Sequence, residues 1–153
     1  MKTVAGPRIL IVEARFYDDI TDNLVRGAIQ ALSEKGAGFK RILVPGILEI
    51  PAVIRYAIRA MELRATDHRY AGYVVLGCAL KGETDHYEHV CRASIEGVQS
   101  LALQYSLAVG NGVLTCRNKD QAMVRSDPEG RDFGGQAARA CLRMLEVKRE
   151  VGL

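Results

Sequence analysis

The stretch from Leu76 to Val90 (LGCALKGETDHYEHV) holds the chain's densest set of groups able to do chemistry: histidines, hydroxyls and several carboxylates behind a glycine turn. Asp85 and Glu88 have the spacing of a capping box, with Thr84 as a competing N-cap, so a helix is expected to start here with His86 in its first turn. The free N–H groups and the positive end of the helix dipole favour an anion there and disfavour imidazolium. His86 is therefore expected to stay neutral and able to accept a proton near neutral pH. The stretch reads as an active-site corner, although a well-capped helix start accounts for its acidic residues equally well. His86 and His89 have no third His or Cys nearby, which argues against a metal.

The elements that must hold this corner follow from hydrophobic periodicity. Gly72 to Leu76 is a short apolar, β-branched run suited to a strand buried on both faces of a parallel sheet. Arg8 to Val12 and Phe39 to Val44 are the strands before it, and Leu107 to Leu114 is the one after. Gly110 and Gly112 weaken the middle of that last strand, as happens where a ligand or another backbone comes close.

Between the strands lie helices. Aspartates 18 and 19 offer caps for a helix with Ile20, Leu24, Val25, Ala28, Ile29 and Leu32 on one face, ending at Gly36. Pro51 suits the first turn of a second helix carrying Val53, Ile54, Ala57, Ile58 and Met61. A third helix runs from about His86 to Tyr105, a short one spans Asp120 to Arg125, and a last one spans Gly135 to Lys148 with Ala137, Ala140, Cys141, Met144 and Leu145 on one face. The alternation predicts an α/β fold: a flavodoxin-like three-layer α/β/α sandwich around a four-stranded parallel sheet. One domain over residues 1–153 is expected, with a short N-terminal arm at Met1 to Pro7. Ligands of such sheets lie at the carboxyl ends of the strands, so Phe16, Ile47 to Glu49, Cys78 to His86 and Asn111 are expected to converge.

Composition narrows the classes. At 48% apolar and 25% charged, the 153 residues match an ordinary soluble globular protein. The net charge of +3 is scattered and forms no basic face, which argues against nucleic acid as a partner. No apolar run approaches the ~18 residues of a membrane span, and Met1 to Pro7 lacks the apolar core of a signal peptide, so a cytoplasmic protein with no membrane partner is expected. The four cysteines form no Cys-x-x-Cys pair and read as reduced, small apolar fillers.

GCALKGETDHYEHV resembles the signature of the lumazine synthases. VPGILEIP at Val44 to Pro51, GNGVLT at Gly110 to Thr115 and ARFYDDITDNLVRGA from Ala14 are similar to that family's other motifs, in its order. The resemblance implies riboflavin biosynthesis: condensation of 5-amino-6-ribitylaminouracil with 3,4-dihydroxy-2-butanone 4-phosphate to 6,7-dimethyl-8-ribityllumazine, with release of phosphate and water and no cofactor. It gives His86 the role of proton shuttle. Gly82, Glu83 and Thr84 would cradle the phosphate, with Arg125 of a neighbouring subunit as second anchor. Phe16 would stack on the uracil ring and Glu49 would accept ribityl hydroxyls beside Ile47 and Leu48. Cys78, Ala79, Leu80 and Asn111 would contact the pyrimidine.

Three positions depart from the family pattern: Ile47 replaces a small residue, Lys81 stands where Arg is usual, and Phe133 stands where most members carry Lys. The alternative they raise is a weakly active or inactive relative that binds flavin or lumazine or builds a shell. The helix from His86 is apolar over more than one stripe, through Val90, Cys91, Ala93, Ile95, Val98, Leu101, Ala102 and Leu103, so a homo-oligomer is expected. Head-to-tail contacts close into rings, and the family implies a pentamer or an icosahedral 60-mer; the short arm favours the free pentamer.

Overall fold

In this computed structural model residues 6–153 are described, and most of the expected N-terminal arm lies outside them. β1 (Arg8–Ala14) is buried at every residue but the first, because both of its faces are covered: Ile9 and Ile11 point to one side, Leu10 and Val12 to the other. It pairs in parallel with β2 (Gly38–Val44) on one flank and β3 (Gly72–Leu80) on the other, and β3 pairs with β4 (Ala108–Cys116). The sheet order is therefore β2-β1-β3-β4, with all four strands parallel, as the three-layer flavodoxin-like reading requires.

The helices are α1 (Asp18–Glu34), α2 (Ile50–Glu62, entered through a 3-10 turn at Ile47–Glu49), α3 (His86–Tyr105), α4 (Lys119–Ser126) and α5 (Phe133–Glu150). α1 and α5 pack Leu24, Leu32, Ala137 and Cys141 on the sheet face of Ile9, Ile11, Val74 and Leu76. α2 and α3 pack Ile50, Ile54, Ile58 and Val98 on the face of Leu10, Val12, Tyr73 and Val75. Burying each large aliphatic side chain contributes about 1.5–3 kcal/mol, so both layers are needed to hold the sheet flat-sided and dry.

Several boundaries differ from expectation for definite reasons. β3 runs on to Leu80 because β4 accompanies it, Cys78 opposite Leu114 and Leu80 opposite Cys116. Gly77 inside β3 is no breaker: a Cβ there would come 2.8 Å from that of Ala14 and 2.9 Å from Ile47 Cγ2. Gly110 is likewise a contact glycine, since a Cβ would run into the Ala137 carbonyl of α5; the backbone that comes close is a helix. The same close approach turns α5, whose buried face is Gly134, Gly135, Ala137, Ala138, Cys141 and Leu145, leaving Ala140 and Met144 exposed. At α1 the N-cap is Tyr17 and makes no side-chain cap; Asp18 and Asp19 lie in the first turn and bind Arg15 and Lys119 instead.

Candidate functional site

At the carboxyl edge of the sheet a cavity of about 320 Å³ opens between the loops after β1, β2 and β3. Its walls are Phe16 and Tyr17, then Gly46 to Glu49, then Cys78 to Leu80, and finally Gly82, Thr84, His86, Tyr87 and Val90 at the start of α3. Parallel topology places it there, because the carboxyl ends of adjacent strands and the amino ends of the following helices face the same side.

The β1–α1 loop is held at its flanks. The Arg15 N–H donates to the Val44 carbonyl at 2.9 Å, and the Thr21 hydroxyl donates to the Ala14 carbonyl at 2.7 Å. Phe16 between these ties is 72% exposed, with the edge of its ring near Tyr17 at a centroid distance of 4.9 Å. In the β2–α2 loop Ile47 is buried with its Cγ2 over Gly77, so much of its bulk fills the space that the glycine leaves. Leu48 is exposed, and Glu49, which lines the cavity, accepts the Gly46 N–H at 3.1 Å with one carboxylate oxygen, the other having no hydrogen bond among the described residues.

Cys78, Ala79 and Leu80 are strand residues, presenting the end of β3 to the cavity. Burial pushes the Cys78 thiol up to about 12, so it remains protonated and offers a wall and not a nucleophile. The loop beyond is anchored where Lys81 N–H donates to the Cys116 carbonyl at 2.9 Å. Gly82 and Thr84 line the cavity, while Glu83 is exposed and does not.

The expected capping box at α3 does not form. Asp85 already has helical backbone angles and no side-chain cap bond, so its carboxylate cannot swing back over the helix end. The Thr84 hydroxyl takes that place, accepting the His86 N–H at 3.3 Å. His86 is the first residue of α3 and is exposed on the cavity side.

Two expected members of the site lie elsewhere in the chain. Asn111 sits within β4 in register with Val75, about 16 Å below Leu80 at ~3.3 Å per residue, with its Oδ1 accepting the Val113 N–H. It does not converge with His86 in one subunit, because β4 continues to Cys116 and Gly110 to Gly112 are mid-strand, not a loop. Arg125, in the last turn of α4, is half-buried with Nη1 3.4 Å from Cys116 Sγ and does not line the cavity.

Tyr17, Gly46, Tyr87 and Val90 do line it and were not singled out as site residues in the sequence. For Val90 the signal was available: it follows His86 by one helical turn on the same face. Burial raises the Tyr87 hydroxyl above its ordinary value, so it stays a neutral hydrogen-bonding group. Among the described residues no three His, Cys, Asp or Glu side chains are grouped to hold a metal ion.

A flavodoxin-like sheet with a cavity of small-molecule size at its carboxyl edge, walled by an aromatic, a carboxylate and a histidine at a helix start, has the form of a small-molecule site of an α/β protein. The family model for 6,7-dimethyl-8-ribityllumazine synthase matches residues 6–149, and the chain belongs to that family. It is 50% identical over 146 residues to the 6,7-dimethyl-8-ribityllumazine synthase of Paramagnetospirillum magneticum, covering 95% of this chain and 97% of that one. It is 47% identical over 149 residues to the enzyme of that name from Agrobacterium fabrum, covering 97% and 99%. It is 43% identical over 152 residues to 6,7-dimethyl-8-ribityllumazine synthase 1 of Rhizobium meliloti, covering 99% and 98%.

Proposed function

We propose that this protein condenses 5-amino-6-ribitylaminouracil with 3,4-dihydroxy-2-butanone 4-phosphate to give 6,7-dimethyl-8-ribityllumazine, a step of riboflavin biosynthesis. The observation that carries this is the single cavity where Phe16, Glu49 and His86, brought from three different loops, face one another. The Phe16 ring offers a face for the pyrimidine, the end of β3 at Cys78 to Leu80 offers backbone groups to its edge, and the second Glu49 oxygen takes ribityl hydroxyls. Ile47 and Leu48 complete that wall. Gly82, Glu83 and Thr84 form the turn at the positive end of α3, where the phosphate is held.

The chemistry needs orientation and proton transfer. The amine adds to the butanone carbonyl and loses water as an imine; a carbon-bound proton leaves with the phosphate as its C–O bond breaks; the ring then closes with loss of water. His86 accepts and returns these protons from its exposed position beside the phosphate turn. No cofactor or metal enters the reading.

We further propose that the site is completed by a second copy. Asn111 and Arg125 lie outside the cavity of their own subunit, and a head-to-tail neighbour brings them to it as pyrimidine and phosphate contacts. The surface supports association: α3 buries only Cys91, Ser94 and Val98 within the subunit, and Leu103, Tyr56 and Leu63 are exposed on α3, on α2 and at its end. A homopentameric ring is the proposed assembly, with the icosahedral 60-mer as its extension. Each subunit is read as one domain, and a cytoplasmic setting suits its free, buried thiols.

Of the departures from the family pattern, Ile47 is absorbed over Gly77, and Phe133 carries the Arg131 guanidinium 5.4 Å from its ring centre, so a cation stands beside the position where the family has lysine. Supplying both substrates and following lumazine together with phosphate tests the proposal. Equal amounts of the two, formed well above the uncatalysed rate, are expected; product at the uncatalysed rate contradicts it.

A further inference from the structure

The face of β1 that begins with Ile9 and Ile11 ends on a carboxylate. Glu13 is fully buried, and Arg41 of β2 grips it with two bonds of 2.8 Å. Arg15 donates a third bond to it at 3.1 Å, and the same guanidinium reaches Asp18 at 2.7 Å and Asp22 at 2.5 Å in the first turns of α1. All three nitrogens of Arg15 are thus engaged, and its side chain spans from strand to helix across the turn that carries Phe16. A well-packed apolar residue at position 13 would serve the core at least as well, since the cost of desolvating the Glu13 carboxylate roughly cancels its attraction to two guanidinium groups that stay partly exposed. The network's stability value does not explain it.

What it does fix is the turn. Phe16 is 72% exposed, so packing does little to choose its rotamer, and its presentation depends on the backbone between Arg15 and Tyr17. We propose that Glu13 is a positioning residue for ring binding: by clamping Arg15 from below it sets the angle at which Phe16 meets the pyrimidine. This rests on the reading of Phe16 as the stacking residue.

The test is a double-mutant cycle of Glu13→Gln and Phe16→Ala, with equilibrium dialysis of 6,7-dimethyl-8-ribityllumazine and, separately, of inorganic phosphate. Glu13→Gln is expected to weaken lumazine binding about tenfold, within the range for coupled neighbours, to change phosphate binding less than about twofold, and to add nothing in the Phe16→Ala background. A core role alone would lower thermal stability and leave this selectivity unseen. If Glu13→Gln does not fold, Glu13→Gln with Arg41→Met removes the buried carboxylate together with the partly exposed guanidinium that grips it, and the same pattern is expected. Unchanged lumazine binding, equal loss of both ligands, or a full loss persisting without Phe16 overturns the inference while leaving the stacking role intact. Unchanged binding in Phe16→Ala alone overturns the stacking role itself, and this inference with it.

Discussion

Arg131 lies over the ring of Phe133, its guanidinium carbon 5.4 Å from the ring centre. Phe133 packs partly into the core at the start of α5, so the ring is a fixed platform. Among the described residues Arg131 makes no ion pair, and a stacked guanidinium keeps its edge N–H groups free for an anion. Removing it should therefore matter more than restoring a lysine beneath it. Arg131→Gln is expected to weaken inorganic phosphate binding about threefold or more, and Phe133→Lys to change it by less. Isothermal titration of phosphate decides; a large gain from Phe133→Lys with no loss from Arg131→Gln contradicts the substitution of one cation for the other.

His86 is exposed at the first position of α3 and its backbone, not its ring, makes the bond to Thr84. His86→Ala should leave the melting temperature and lumazine binding nearly unchanged while lowering turnover about 10²–10⁴-fold, the range of general acid–base contributions. Because the two substrates already react with each other slowly, the lower end is expected. Single-turnover rates for the variant and the parent check this, and equal rates remove His86 from the proton transfers.

The buried thiols give the fold a pH limit. Burial pushes Cys141 up to about 12 from an ordinary value of 9.0, and Cys78 is pushed up in the same way. In the unfolded chain these thiols lose their protons above about pH 9, while the folded chain holds them, so the unfolded state binds fewer protons and stability falls as pH rises. For Cys141 the slope is at most about 1.4 kcal/mol per pH unit between pH 9 and 12. Urea midpoints at pH 8, 9.5 and 10.5 should decline, and less steeply in Cys141→Ala, which removes only the Sγ that lies against Gly72; identical slopes contradict the assignment.

The order of elements was legible because each strand carried a short apolar run, broken by Lys40 and Arg41 in β2 and by Gly110 to Gly112 in β4, and each helix kept its period: RILIV marked the centre of the sheet, and Leu24, Ala28 and Leu32 marked the buried stripe of α1. The glycines were legible in part: the close approach expected at Gly110 and Gly112 is there, from the Ala137 backbone of α5 and the Leu76 side chain, but that β3 runs on through Gly77, beneath Ala14 and Ile47, was information held only by the neighbouring elements. The convergence of Phe16, Ile47 to Glu49 and Cys78 to His86 on one cavity was legible, since short loops after parallel strands must face one another. Asn111 does not meet the loops within one subunit because β4 runs on to Cys116, and the capping box was lost to a backbone angle at Asp85 that no spacing rule encodes.

Catalysis is proposed to take place in a cavity completed by two copies, with His86 from one and Arg125 from the next. Arg125→Ala costs its own subunit only the contact with Cys116, so the variant should fold and fail chiefly in phosphate binding. The direct measurement is the condensation rate of His86→Ala and Arg125→Ala chains refolded separately and together at equal concentration. In a ring with random order, about a quarter of the interfaces pair an intact His86 with an intact Arg125, so the mixture should regain about a quarter of the parent rate. A mixture no faster than the average of the two separate variants contradicts the shared site.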